Sequence, residues 1–196
     1  MTKISDGLNK SFKKKTLIRL ITSHPKGDSF DGIVLYQTAN FVTLASIVDF
    51  EFNGLVLISS KFIRGIRDSK FEKCYNRIIK FNKSIDKVRM PGWVKGCFLL
   101  EDVLRELERR RIWPSVEVVF LEDKTENNSA FYLGPIQDVN SKEFLIYGYD
   151  ADGSWEKCYK LQIDEIFKIA FYDRYTTHFN KFMRERDSPQ KGDRAR

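Results

Sequence analysis

Two stretches of the sequence read alike at a constant spacing of 103 residues. They are FVTLASIVDFEFNGLVLISSKFIRGI at 41–66 and FLIYGYDADGSWEKCYKLQIDEIFKI at 144–169. An ungapped alignment places Phe41 on Phe144 and Ile63 on Ile166. Self-similarity at a fixed spacing is the sequence signature of repeated structural units. The sequence therefore predicts two copies of one small fold.

The similarity extends outward, with shifts of a few residues, to 16–82 and 115–185. In each copy, β-branched and aromatic residues alternate between turn residues, which predicts five short strands and a closing helix. The strands of the first copy are expected at about 16–22, 30–37, 40–48, 54–60 and 62–67. Such short strands, joined mostly by tight turns, bury their apolar face best by curling into a small barrel, which also removes free edges.

The expected fold class is α+β, mainly β with helices: a tandem repeat of two small five-stranded barrels, each followed by a helix, joined by a helical linker. A composition of 42% hydrophobic and 31% charged residues is typical of a chain that folds. The predicted parts are a basic N-terminal segment (1–15), a first barrel plus helix (16–82), a linker with an amphipathic helix (83–114), a second barrel plus helix (115–185) and a disordered tail (186–196).

Local signals place the turns and helices. Asn53-Gly54 and Asp152-Gly153 are expected at hairpin turns, because both central positions of a type I′ turn need positive φ. The apolar stripe predicted for the helix at 68–82 consists of Phe71, Cys74, Tyr75, Ile78 and Ile79. The stripe of the linker helix consists of Leu99, Leu100, Val103, Leu104 and Leu107, and we expect that helix to dock against both copies.

A resemblance to a known pattern covers residues 30–67, about a fifth of the chain. The run FDGIVLYQTANFVTLASIVDFEFNGLVLISSKFIRGIR resembles small uncharacterised bacterial proteins that carry Phe-x-Gly, Phe-Val-x-Leu, Asp-Phe-x-x-x-Gly and Ile-x-x-Ile-Arg. More distantly, the expected strand order is similar to that of Sm-like and SH3-like barrels, and Ile63-Arg64-Gly65 is similar to part of the Sm-like RNA-binding signature. The resemblance implies a small β-barrel fold and no known activity.

Positive charge is concentrated in the first half of the chain. Residues 1–90 contain 17 Lys and Arg against 8 Asp and Glu, whereas the remaining residues contain 17 against 19. A surface of one sign favours polyanions or acidic partners, and it also keeps a protein soluble. The candidate anion or nucleic-acid surface is formed by Lys70, Lys73, Arg77, Lys80, Lys83, Lys13, Lys14 and Lys15. The alternative interpretation is that these cations only solubilise the protein.

Residue types that support catalysis or metal binding are sparse. The chain has two histidines, and we expect both His24, in a turn, and His178, on the last helix, at the surface. The three cysteines are widely spaced without a CxxC, and no GxxxxGK[ST], GxGxxG, HExxH or GxSxG occurs. We therefore predict no catalytic residue, no bound metal, no organic cofactor and no enzymatic activity.

The function expected from these observations is that of a non-enzymatic binding or adaptor protein. Its two modules would engage a protein or peptide partner. The alternative is an RNA- or other nucleic-acid-binding protein that uses the basic face of the first module. The basic first thirty residues and the lack of about 18 consecutive apolar residues predict a cytoplasmic protein with no membrane partner.

Overall fold

A computed structural model describes residues 3–24, 26–120, 129–150 and 152–185, so the predicted disordered tail lies outside the described residues. Four α-helices occur in these ranges: α1 (Lys3–Lys14), α2 (Lys70–Phe81), α3 (Leu100–Arg109) and α4 (Arg174–Arg184). The same ranges contain eleven strands: β1 (Leu17–Thr22), β2 (Ser29–Gln37), β3 (Phe41–Val48), β4 (Glu51–Ser59), β5 (Ile63–Arg67), β6 (Ser115–Val119), β7 (Ser129–Leu133), β8 (Ile136–Gln137), β9 (Glu143–Tyr149), β10 (Trp155–Gln162) and β11 (Ile166–Phe171).

The strands form two antiparallel sheets, and the prediction of two barrels is wrong. The larger sheet has the order β5-β1-β2-β3-β4-β11-β6-β7, and the smaller has the order β10-β9-β8. Strand β4 pairs with β11 from Leu55 opposite Phe171 to Ile58 opposite Lys168. One sheet therefore runs through both predicted modules, and within the described residues no set of strands closes into a barrel.

The residues of β4 explain why the sheet continues. Leu55 and Leu57 pack in one hydrophobic cluster with α3, while Val56 and Ile58 pack in a second cluster on the other face. A strand that is apolar on both faces is typical of the centre of a covered sheet. Strands covered on only one face, as the sequence predicted, would favour a barrel. Because both faces of β4 are buried, its free edge pairs with β11.

Helix α3 lies in a core shared by both halves of the chain. Its residues Leu100, Val103, Leu104 and Leu107 are buried, and they belong to the same cluster as Phe41 of β3 and Phe144 of β9. The helix expected to dock against both halves therefore does so.

The basic N-terminal segment forms helix α1, which packs on the sheet. Leu8 and Ser11 are its buried residues. The Ser11 hydroxyl donates to the Thr16 carbonyl at 2.6 Å and accepts from the Val34 amide of β2 at 3.1 Å. Ser11 thus fixes the end of α1 on the sheet.

The predicted hairpin turn at Asn53-Gly54 is wrong. The turn between β3 and β4 is made by Asp49 and Phe50, whose φ angles are 49° and 66°. Asn53 and Gly54 instead form a bulge inside β4, where the register shifts between the pairs Ala45–Leu55 and Ile47–Phe52. In the second half, Gly153 does lie in the β9–β10 turn, with φ 80° and its amide bonded to the Asp150 carbonyl.

The buried face of α2 differs from the predicted apolar stripe. The structure buries Glu72, Asn76 and Ile79 and exposes Phe71 and Cys74. Glu72 closes a capping box with Ser69, and its carboxylate also accepts from Arg67 at 2.8 Å. Polar side chains that satisfy buried backbone groups therefore take the place expected for apolar ones.

Acid should weaken the protein through Glu72. Burial raises the pKa of this carboxyl, but hydrogen bonds from Ser69 and Arg67 outweigh burial and lower the pKa to about 2 from its ordinary 4.5. A carboxylate with a lowered pKa stabilises the fold above its unfolded pKa, and that stabilisation is lost as the pH falls from 4.5 through about 2. We expect Glu72→Gln to be less stable than the parent at pH 7, with the gap closing toward pH 2, in urea unfolding. The exposed Glu185→Gln is the control, and a gap independent of pH would contradict the assignment.

Candidate nucleic-acid interface and junction cleft

The eight cations singled out in the sequence lie at the end of α1 and along α2. We call them the basic face: Lys13, Lys14, Lys15, Lys70, Lys73, Arg77, Lys80 and Lys83. All eight are exposed. The four cations within α2 are three, four and three residues apart, which places them on one side of the helix. That side is away from the buried Glu72, Asn76 and Ile79.

A buried asparagine fixes α2 to the start of β1. The Asn76 side chain accepts from the Leu17 amide at 2.8 Å and donates to the Leu17 carbonyl at 3.1 Å. Asn76 is only 8% exposed. Leu17 follows Lys15 by two residues, so this clamp fixes α2 to the strand that starts just after the lysine run. The helices α1 and α2 themselves pack in different hydrophobic clusters. The sequence predicted the cations but not the clamp, because a polar residue in a helix carries no signal of its partner.

The charges of the basic face are not neutralised within the part of the chain that the structure describes. None of the eight cations makes an ion pair there, whereas Arg67 and Lys87, on either side of α2, pair with Glu72 and Glu51. Like charges three or four residues apart on a helix cost about 0.2 to 0.5 kcal/mol per pair. An anionic partner would relieve that repulsion.

An exposed aromatic ring lies beside these cations. Phe81, the last residue of α2, is 87% exposed, the largest exposure among the large hydrophobic residues of the described chain. It follows Lys80 directly and precedes Lys83 by two residues. Exposed rings among cations are the means by which proteins stack on the bases of single strands.

The Arg64-Gly65 pair of the Sm-like resemblance lies elsewhere. Both residues are within β5, the edge strand of the larger sheet, and the Arg64 guanidinium donates to the Lys61 carbonyl at 3.0 Å.

The chain matches no protein-family model, no curated protein and no solved structure. Its candidate sites are therefore judged on their own geometry. Among the described residues, no helix combines the length and apolar character needed to cross a membrane.

The expectation of a solvent-exposed His24 is wrong, whereas His178 is exposed. The His24 side chain is fully buried, with its ring 4.5 Å from that of Phe167. Its Nδ1 lies 3.4 Å from Asp28 Oδ2, and its Nε2 lies 3.1 Å from Glu117 Oε1, off the line of a hydrogen bond. Ligand atoms of these three side chains lie within 4.8 Å of one another, a spacing that a metal ion could bridge.

The hydrogen bonds favour a structural cross-link over a metal centre. His24 Nδ1 accepts from the Lys26 amide at 3.2 Å, so in this arrangement the ring proton is on Nε2, the atom that faces Glu117. A metal-bound imidazole normally donates through its other nitrogen, which this contact does not permit. Glu117 is in addition paired with the Lys168 ammonium at 2.6 Å. The contact of His24 with Glu117 and the ion pair of Glu117 with Lys168 tie the β1–β2 connection to β6 and β11.

A second candidate site is a cleft of about 580 Å³, which we call the junction cleft. It lies where the two halves of the chain meet, and α3 begins at its rim. The lining residues are Ala39, Asn40, Ser59, Lys61, Leu99, Leu100, Glu101, Ser141, Lys142, Gln162, Ile163 and Asp164.

Corresponding loops of the two halves build the junction cleft. In the first half the Ser60 amide donates to the Asn40 carbonyl at 2.8 Å, and in the second half the Ile163 amide donates to the Lys142 carbonyl at 2.7 Å. The first bond links the loop before β3 to the loop after β4, and the second links the loop before β9 to the loop after β10. Sequence reasoning missed this cleft, because its residues come from four loops and a helix start. The spacing of 103 residues between Ser60 and Ile163 is the signal that relates them.

Proposed function

We propose that this protein binds nucleic acid, with the phosphate backbone on the basic face. The observation that carries the proposal is the row of four exposed cations on α2, which make no ion pair in the described chain and whose helix the Asn76 clamp fixes to β1. Lysine and arginine side chains on one surface hold phosphates and release counterions, which supplies sequence-independent affinity.

Single strands fit the surface better than duplexes. Phe81 offers a free ring at the end of α2, and a base can stack on it only when it is not already stacked within a duplex. We therefore expect RNA or DNA single strands to bind more tightly than a duplex of equal length. The sequence predicted instead that a protein or peptide partner would bind to the two modules, and that expectation stays a prediction.

The salt dependence of binding tests the proposal. Fluorescence anisotropy with labelled single-stranded RNA and DNA should give a log K against log salt slope of about −3 to −4, because about four or five phosphates are neutralised. The variant Lys70→Gln, Lys73→Gln, Arg77→Gln and Lys80→Gln should flatten that slope. Phe81→Ala should lower the affinity for single strands by roughly five- to a hundredfold while leaving the slope unchanged.

A matched control variant distinguishes the effect of the basic face from the effect of net charge. Lys26→Gln, Lys95→Gln, Lys157→Gln and Lys181→Gln remove the same charge from exposed positions outside the basic face. This control should keep the parental slope. Failure to bind any strand at low salt, or equal slopes for the two quadruple variants, would exclude the basic face as a nucleic-acid surface.

A further inference from the structure

We infer that the junction cleft binds a short peptide segment with an apolar side chain and charges of both signs. This inference does not rest on the proposed nucleic-acid function, because the cleft and the basic face share no residue. It assigns the expected protein or peptide partner to a defined place in the molecule. A volume of about 580 Å³ is within the range of sites for small organic ligands.

Ser59 supplies a hydroxyl to the cleft. Ser59, at the end of β4, is only 5% exposed, and it makes no side-chain cap to the short helix that follows. No hydrogen bond joins its hydroxyl to another described residue, and the residue lines the cleft. The Ser59 oxygen keeps some solvent contact, so it can form a hydrogen bond with a ligand in the cleft.

Charges in the cleft are also available. Lys61 and Lys142 make no ion pair with a described residue, and neither does Asp164. Glu101, in contrast, is held by Arg105 at 2.8 Å. The cleft therefore offers two free ammonium groups and one free carboxylate to a ligand.

These groups match a peptide better than a polyanion. A carboxylate or C-terminus can pair with the lysines, and an ammonium can pair with Asp164, whereas a phosphate chain would face two carboxylates in the same cleft. Leu99, Leu100 and Ile163 supply an apolar wall for a side chain. The Asn40 amide and the Ser59 and Ser141 hydroxyls are suited to the hydrogen-bonding groups of a peptide backbone.

Titration of the ¹⁵N-labelled full chain with an unblocked tetrapeptide, Lys-Leu-Val-Asp, tests the inference. We expect saturable shifts of the amide signals of Asn40, Ser60, Lys142 and Ile163, which lie in the loops of the cleft. Lys61→Met with Lys142→Met should weaken binding by about tenfold or more, since two charge-assisted contacts are lost. Asp164→Asn should weaken it as well.

The controls distinguish this site from the basic face. Lys157→Met with Lys181→Met removes two exposed charges elsewhere and should leave peptide affinity unchanged, as should the four-glutamine variant of α2. No shift at millimolar peptide, or equal affinity of the cleft variant and the parent, would overturn the inference. Stronger shifts of the same amides with adenosine monophosphate or inorganic phosphate than with the peptide would overturn it too.

Discussion

Phe167→Ala is expected to lower the free energy of unfolding by about 3 to 5 kcal/mol, the usual cost of emptying a buried phenylalanine site. Phe167 belongs to β11, in the second half of the chain, and is fully buried. Its ring contacts three rings of the first half: His24 at 4.5 Å, Phe62 at 5.3 Å and Phe30 at 5.8 Å. The substitution therefore removes a contact between the two halves.

The decrease in the free energy of unfolding caused by Phe167→Ala should be the same when it is measured in either half of the chain. The fluorescence of Trp113, Trp155 and Trp93, which stacks on Phe171 of β11, reports on the second half in urea. Amide hydrogen exchange of β2 and β3 reports on the first half. One continuous sheet predicts a single transition and the same loss with both probes. Phe98→Ala, at a residue that is 64% exposed, is the matched control and should change stability by less than about 0.5 kcal/mol. Two separate transitions, with only one of them shifted, would show that the halves fold independently.

Local features of the fold could be predicted from the sequence. Strands β1 to β5 and helix α2 lie within three residues of their expected ranges, because alternation and turn residues act within a few positions of the chain. The pattern also predicts eight core residues, and seven of them are buried: Phe41, Leu44, Ile63, Phe144, Ile146, Ile166 and Ile169. The eighth, Ile66, is only partly buried.

The way in which the halves join could not be predicted. Edge pairing of β4 with β11 depends on residues more than a hundred positions apart, such as Leu55 and Phe171. Alternation shows that a strand has two faces, but it does not show which faces are covered or what pairs with the edge. The bulge at Gly54 could not be predicted either, because Asn-Gly is equally suited to a tight turn and to a bulge.

Among the candidate sites, too, some could be predicted from the sequence and others could not. The cations of the basic face could be predicted because charge and helical spacing are visible in sequence, and the structure adds the bonds from Asn76 to Leu17 that fix α2 to β1. His24 could not be placed, because its burial depends on Phe167 and Glu117 of the other half. The junction cleft combines loops that no local pattern connects.

At Gly54 the backbones of the two halves are in close contact. Its φ is +80°, and a Cβ at this position would lie 2.6 Å from the Asp173 Cα and closer still to the Asp173 amide nitrogen. Asp173 caps α4, and the adjacent Asn53 side chain accepts from the Arg174 amide at 3.1 Å. The β4 bulge therefore packs directly against the start of α4, and only glycine leaves room for that approach.

We expect Gly54→Ala to cost about 2 to 6 kcal/mol, because backbone strain at positive φ adds to a clash that only backbone movement can relieve. Two other glycines separate these causes in urea unfolding. Gly27→Ala has a φ of +70° and no atom within 4 Å of its new Cβ, so it should show the strain alone. Gly65→Ala has no positive φ and a nearest neighbour at 3.8 Å, so it should be close to neutral. A cost at Gly54 no larger than the cost at Gly27 would mean that β4 and α4 are not packed as tightly as the structure has them.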